Sequence, residues 1–240
     1  LPTTRWTQRI VQLGCGALCS AIRLGGYTNA LTIQQNLQYQ RGELVLATTD
    51  TGHSPGITYD GTLAAGDPQL RNDFAYRGVH VTSLAAKAIM RVYYGQEPNF
   101  SYFVGCSEGG REAAMESQRY ANDFNGIVSG SPAINFLTQN TFYHAWNARV
   151  NSDGNGNLLI TADKLPSLHA AALAACDARD GLKDGFISEP DSCHYDPGVT
   201  QCKPGDDPAT CLTPAQVRAA RLILDGARDD KGNRLVMRGP

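Results

Sequence analysis

The sequence predicts an α/β fold, a parallel sheet covered by helices, and three observations predict it. Short apolar, strand-like runs alternate with amphipathic stretches through the first 150 residues. Those runs are near-continuously apolar, as strands buried on both faces of a parallel sheet are. A glycine-rich corner, GCSEGG, stands where one such run gives way to a helical pattern.

The elements follow in order. Arg9–Leu13 (RIVQL) reads as a strand running into GCGALCS, and residues 43–49 (ELVLATT) as a second, ending at DTGHSPG. Gly78–Tyr94 reads as a helix, because Val81, Leu84, Ala85, Ala88 and Val92 recur at helical spacing and Gly95 can cap it. A strand is expected over 100–104, a helix over 108–120 and a short strand over 126–129. After about residue 150 the texture changes. NSDGNGN (151–157) is turn chemistry, in which Asn and Gly accept positive φ. A helix is expected from Thr161 to about Ala175, followed by a polar stretch to Cys211. A last helix has Thr213 as N-cap and Pro214 in its first turn, and buries Val217, Ala220 and Leu224. The expected boundary lies near 148–158, giving a core over 1–150 and a second domain over 151–240. No internal repeat is visible.

Composition excludes several classes of function. Hydrophobic residues make up 42% and charged residues 18%, too apolar for disorder. A net charge of −2 provides no basic surface for nucleic acid or anionic lipid. No apolar run approaches the roughly 20 residues a membrane-spanning helix needs, so a soluble chain is expected. It begins at Leu1 rather than Met and closes on MRGP, which reads as a mature fragment or truncated chain.

Seven cysteines stand at 15, 19, 106, 176, 193, 202 and 211. None has C-x-x-C spacing, which argues against zinc. Cys176 with Cys193, and Cys202 with Cys211, would each close a short loop in Asp/Pro/Gly-rich sequence with little core of its own. Closing a loop of about 15 residues removes roughly 3 kcal/mol of denatured-state entropy in the chain model. Such staples point to an oxidising compartment, secreted or periplasmic. The alternative is seven buried, reduced thiols.

Gly105-Cys106-Ser107-Glu108-Gly109 matches G-x-S-x-G between a strand and a helix, the context of a nucleophile elbow. The turn would lift the Ser107 hydroxyl above the sheet edge and aim the Glu108 N–H, at a helix N-terminus, toward a developing oxyanion. Gly52-His53-Ser54-Pro55-Gly56 also matches the pattern, but Pro55 has no N–H to donate and no helical pattern follows. Ser54 is therefore rejected. A second oxyanion donor is expected from an early glycine-rich loop after a strand, where Gly14-Cys15-Gly16-Ala17 stands. A tight turn explains that tetrapeptide equally well. Asp177, Asp180 and Asp184, with Gly181 and Gly185 between, place three carboxylates on one short loop. On spacing alone a solvated acidic loop is the commoner explanation. Residues 151–157 approach a calcium-loop pattern, but Leu158 and Lys164 replace the required Gly and Glu, so they read as a turn.

With these motifs in place, the chain resembles the tannase and feruloyl esterase family of α/β hydrolases. GCSEGGRE is similar to that family's nucleophile motif and QLGCGALC to its oxyanion loop. ATTDTGH and YRGVHVTSLAAKAI resemble the strand and helix before the elbow, FNGIVSGSPAINF the segment after it, and CDARDGLKDGFIS a calcium loop of its lid. The likeness covers most of residues 5–215. It implies an α/β-hydrolase fold with an inserted lid domain, both incomplete in this chain. It implies a serine esterase acting on small aromatic carboxylic esters, feruloyl or galloyl in type, with Ser107 as nucleophile and the N–H groups of Gly16 and Glu108 as oxyanion hole. It implies a structural Ca²⁺ held by Asp177, Asp180 and Asp184 with the carbonyls of Leu182 and Phe186. Cys106 is implied to be half of a disulfide whose partner sits beside the catalytic histidine.

That partner and that histidine are not evident in the sequence. The triad order of this fold is Ser, acid, His. Cys193 precedes His194, whereas the family's cysteine follows its histidine, and His144 and His169 lie in helix-like sequence. The acid and histidine are expected beyond Pro240, leaving Cys106 free here and these 240 residues without turnover. The rival reading is a non-catalytic, calcium-stabilised secreted module that keeps the hydrolase fold.

Overall fold

A computed structural model describes residues 1–22, 24, 41–53 and 60–236, so Ser54 and Pro55 lie outside the described residues. The chain forms two compact units, 1–134 and 135–240.

The first unit is built on four parallel strands. They are β1 (Arg9–Leu13), β2 (Leu44–Thr48), β3 (Phe100–Cys106) and β4 (Gly126–Gly130), in the order β2-β1-β3-β4. Register follows the side-chain alternation of the strands. Ile10 pairs with Val45 on one side and Ser101 on the other, and Leu13 pairs with Thr48 and Val104. Four helices can be named here: α1 (Pro68–Asn72), α2 (Gly78–Tyr94), α3 (Glu108–Arg119) and, in the second unit, α4 (Tyr143–Val150).

Ile10 and Val45 pack on Met90 of α2, while Phe103 meets Val79 of α2 and Ala113 of α3. Val11, Leu13 and Leu44 form a separate cluster with Leu46, Tyr102 and Val104. Gln12 is the polar exception among these, wholly buried, and its Nε2 donates to the Val79 carbonyl at 2.9 Å. α1 begins where Asp67 accepts from the Leu70 N–H at 2.9 Å and Pro68 fills the first turn. A π-helical turn, Asp73–Arg77, joins α1 to α2.

The second unit contains α4, α5 (Leu165–Cys176) and α6 (Pro214–Asp225). Ile160, Ala219 and Ala220 are its buried cluster, joined by Leu159, Leu168 and Ile223. Thr213 and Gln216 form a reciprocal capping box at the start of α6. Between α5 and α6 the chain is short 3-10 turns and loops, crossed by disulfides Cys176–Cys193 and Cys202–Cys211. Among the described residues no helix is long and apolar enough to cross a membrane.

Candidate active site

At the end of β3 the chain must leave the sheet and double back into α3. Ser107 is the tip of that turn, with φ 60° and ψ −116°. A residue with a β-carbon pays about 1–3 kcal/mol for such backbone. Three hydrogen bonds hold it. The Ser107 N–H donates to the Gly130 carbonyl at 3.0 Å, and its carbonyl accepts from the N–H groups of Arg111 at 3.1 Å and Ala133 at 3.3 Å. The side chain is exposed, while Glu108, Gly109 and Gly110 behind it are buried.

Glycine is required here by contact. A β-carbon on Gly105 would lie 2.0 Å from the Gly109 carbonyl oxygen, and one on Gly14 would lie 2.6 Å from the Gly109 Cα. The strand, the first turn of α3 and the loop after β1 therefore meet backbone to backbone. That loop is tied down at both ends of one residue. The Cys15 carbonyl accepts from the Gly109 N–H at 2.9 Å, and the Cys15 N–H donates to Glu112 Oε2 at 3.0 Å. Gly14 N–H continues the sheet by donating to the Val104 carbonyl at 2.9 Å. No described residue accepts from the N–H of Gly16 or of Glu108. The first N–H groups of a helix have no partner within it, so Glu108 presents a donor at the positive end of α3.

The charges around this turn are unusual. Glu108, Glu112 and Glu116, one helical turn apart, are each no more than 2% exposed. Burial pushes the carboxyl of Glu108 upward, against the Arg111 guanidinium whose Nε donates to it at 2.6 Å. Arg111 also donates to the carbonyls of Phe74 and Ala75, at 2.8 and 2.7 Å, fixing the elbow helix to the π turn. Burial and then the charge of Glu108 push Glu112 to about 8. Burial, then Asp123 and Glu112, push Glu116 to about 8. Both carboxyls therefore hold their protons well above the ordinary carboxylate range.

Sequence reasoning missed Glu112 and Glu116, and it left Cys15 and Cys19 without partners. The structure joins Cys15 to Cys19 in a disulfide across the loop after β1. The signal for the acids is their position. Glu112 and Glu116 occupy the inward face of a helix whose other buried residues are Glu108, Gly109, Gly110 and Ala113, where an apolar residue would be usual. Cys106 is a free, half-buried thiol next to Ser107.

His53 lies in the loop after β2, 8% exposed. Its Nε2 donates to the Leu18 carbonyl at 2.5 Å and its Nδ1 lies 3.4 Å from Thr51 Oγ1. Its ring thus ties the loops after β1 and β2 together. His80 pairs with Asp123 at 2.6 Å and stacks on Tyr120. His144 packs edge-on against Tyr143.

The acidic loop of the second unit is described by itself. Asp177 is 6% exposed, and its Oδ1 accepts from the N–H groups of Asp184 at 3.2 Å and Gly185 at 3.1 Å. Asp180 Oδ1 accepts from the Leu182 N–H at 2.9 Å, and Asp184 Oδ1 from the Phe186 N–H at 3.1 Å. Hydrogen bonds from Ser188 and from the Leu182 N–H hold the Asp180 carboxyl below its ordinary range. The side chains of Leu182 and Phe186 are exposed. The three carboxylates do not bring one oxygen each within 4.8 Å of one another. Among the described residues only Cys15, Cys19 and Glu112 gather ligand atoms that closely, and two of those are a disulfide.

Comparison with known proteins places the chain. A sequence model of the family described as tannase and feruloyl esterase matches residues 1–239. An uncharacterised esterase of Xanthomonas campestris pv. campestris is 34% identical over 226 residues, 94% of this chain and 37% of its own length. The mono(2-hydroxyethyl) terephthalate hydrolase of Piscinibacter sakaiensis is 36% identical over 216 residues, 79% of this chain and 36% of its own. The crystal structure of feruloyl esterase B from Aspergillus oryzae superposes with a TM-score of 0.77 at 27% identity, over 98% of this chain and 44% of that one. The chain thus spans less than half the length of each of these three proteins, and its fold is of the α/β-hydrolase type. It belongs to the tannase and feruloyl esterase family.

Proposed function

We propose that the protein is a serine carboxylic-ester hydrolase acting on esters of small aromatic acids, feruloyl or galloyl in type, with Ser107 as nucleophile. The observation that carries this reading is the Ser107 backbone. An exposed serine is held at φ 60° and ψ −116° on the tip of a strand–helix turn. Nothing in packing alone calls for a serine there, whereas an attacking hydroxyl needs to stand clear of the sheet.

In the proposed reaction Ser107 Oγ attacks the acyl carbon and its proton passes to a general base. The carbonyl oxygen becomes an oxyanion in reach of the N–H groups of Glu108 and Gly16. Collapse expels the alcohol, which takes the proton from the base, and leaves an acyl-serine. Water then adds to the acyl-serine through the same base, releasing the aromatic acid and restoring Ser107. The acid and histidine of the triad are proposed to lie outside these 240 residues, with the partner of Cys106. The 240-residue chain alone should therefore show almost no turnover of methyl ferulate or methyl gallate. The three disulfides fit a secreted or periplasmic enzyme.

Asp177, Asp180 and Asp184, with the carbonyls of Leu182 and Phe186, are the all-oxygen set proposed to hold Ca²⁺, for which the three carboxylates would have to draw closer together than they stand here. Asp177 and Asp184 each have one carboxylate oxygen that takes no hydrogen bond from the loop's N–H groups, whereas Asp180 also accepts from Ser188. When bound, the ion would supply structural cross-linking to this loop and no chemistry at Ser107.

The rival reading, a non-catalytic secreted module, is separated by an active-site label. A fluorophosphonate should modify Ser107 in the full natural chain and not in its Ser107→Ala variant. Absence of labelling in an intact, folded full chain would favour the module.

A further inference from the structure

We infer that Glu112 is a positioning residue of the ester-hydrolysing site, its carboxyl fixing the loop 14–19 against the elbow helix. This rests on reading that loop as half of the oxyanion hole. Glu112 lies on α3, five residues past Ser107, and is 2% exposed. Its Oε2 accepts from the Cys15 N–H at 3.0 Å, and its Oε1 lies 3.1 Å from Cys15 Sγ and 3.6 Å from Cys19 Sγ. The carboxyl therefore touches both halves of the disulfide that closes the loop and the amide at the loop's start.

The consequence for Gly16 follows from peptide planarity. The carbonyl of Cys15 and the N–H of Gly16 belong to one rigid trans unit and point opposite ways. Glu112 holds Cys15 by its N–H, and Gly109 holds it by its carbonyl at 2.9 Å. With both sides of Cys15 fixed, the plane that carries the Gly16 N–H cannot rotate. An oxyanion donor is effective only when it is oriented before the charge develops. Because Glu112 and Ser107 sit on the same turn and helix, the carboxyl also sets the distance between donor loop and nucleophile.

The chemical form of the side chain matters. The groups facing it are Glu108, Arg111 and Glu116 on its own helix and the Cys15 amide and disulfide of the loop. Arg111 is committed to Glu108 and to the carbonyls of Phe74 and Ala75. No described cation is left to pair a carboxylate at 112, and the neutral acid, with one acceptor and one donor, fits where the anion does not. Glutamine has the same two functions and the same length.

The test is steady-state hydrolysis of methyl ferulate by the full natural chain, with Glu112→Gln, Glu112→Leu and Glu112→Asp beside the parent and Ser107→Ala. Leu fills the volume without an acceptor, and Asp withdraws the acceptor. Both should lose kcat by roughly ten- to a hundredfold, somewhat less than the loss of an oxyanion donor itself, with KM nearly unchanged. Gln should restore most of kcat and remove the alkaline inflection near pH 8. Amide exchange at Cys15 should quicken in Glu112→Leu and stay slow in Glu112→Gln, which reports the contact even where turnover is weak. The inference is overturned if Leu and Asp keep parental kcat per folded molecule, or if Gln is as damaged as Leu. An active Ser107→Ala would instead overturn the esterase reading and leave the amide-exchange result to decide the contact.

Discussion

The elbow around Ser107 and the loops between α5 and α6 are both turns rich in glycine and acid, yet they are held by opposite means. At the elbow, backbones touch. Gly105, Gly109 and Gly14 leave no room for a β-carbon, and the acids Glu108, Glu112 and Glu116 are buried. In the loop 177–186, a β-carbon on Gly181 or Gly185 would meet nothing within 4 Å, and its acids bond to neighbouring backbone N–H groups. Two disulfides cross the region that contains it. Close packing holds a residue in one geometry, which the nucleophile proposed at Ser107 would need. Cross-linking only limits how far an exposed loop can unfold.

The largest effects should come from the same substitution made in both regions. Gly105→Ala places a methyl group 2.0 Å from a backbone oxygen that cannot move without displacing α3. A loss of about 3 kcal/mol or more is expected, at or beyond the upper end for overpacking, seen as failure to fold or a steep fall in Tm. Gly181→Ala meets only the strain of φ +94°, on the order of 1 kcal/mol. Equal destabilisation by the two would erase the contrast.

Disulfides should rank next. Replacing Cys176 and Cys193 by Ser opens a loop of 17 residues' separation. About 3 kcal/mol of stabilisation should disappear, measured by denaturant unfolding of the second unit. Cys15 and Cys19 are only four apart, so their double Ser variant should cost less stability and show its effect in turnover.

How far the sequence foretold all this depends on whether a residue's role is local. β1 and α2 run over the residues expected, Arg9–Leu13 and Gly78–Tyr94, and β2, β3, α3 and β4 differ by one or two at their ends. Apolar runs punctuated by glycine are local signals. The N-terminal α1 went unread even though Asp67-Pro68 is a sound helix start, because its five residues bury nothing and leave no periodicity. The helix from Tyr143 to Val150 was legible only as helix-like sequence around His144, since it has no buried residue to mark its ends. At the site, the G-x-S-x-G elbow was legible because its glycines and its flanking strand and helix are contiguous. Glu112 and Glu116 were not, since acid side chains read as solvent-facing until a neighbouring loop is known to cover them. The Cys15–Cys19 bridge was equally opaque, because it closes too short a loop for entropy to select it.

The buried acids give a pH-dependent contrast. Glu112 and Glu116 are raised from 4.5 to about 8 in the folded chain. Between those values the folded state binds more protons than the unfolded one, so stability is full below about pH 4.5 and is lost as pH rises toward 8. Tm should fall across that interval, and Glu112→Gln with Glu116→Gln should flatten the fall. A profile unchanged by both substitutions would contradict neutral burial.

The smallest effect concerns calcium. Its addition should raise the Tm of the second unit by a few degrees, and Asp180→Ala should abolish the rise. An identical melting curve with ion and with chelator would remove the metal from the account.

The central claim is that this turn makes Ser107 a nucleophile, and one measurement addresses it directly. The full natural chain is treated with a fluorophosphonate, digested with trypsin, and the peptide spanning residues 92–111 is sequenced by mass spectrometry. The account predicts a single adduct on Ser107, formed in step with loss of methyl ferulate hydrolysis and absent from Ser107→Ala. An adduct on any other serine, or undiminished hydrolysis by Ser107→Ala, would contradict it.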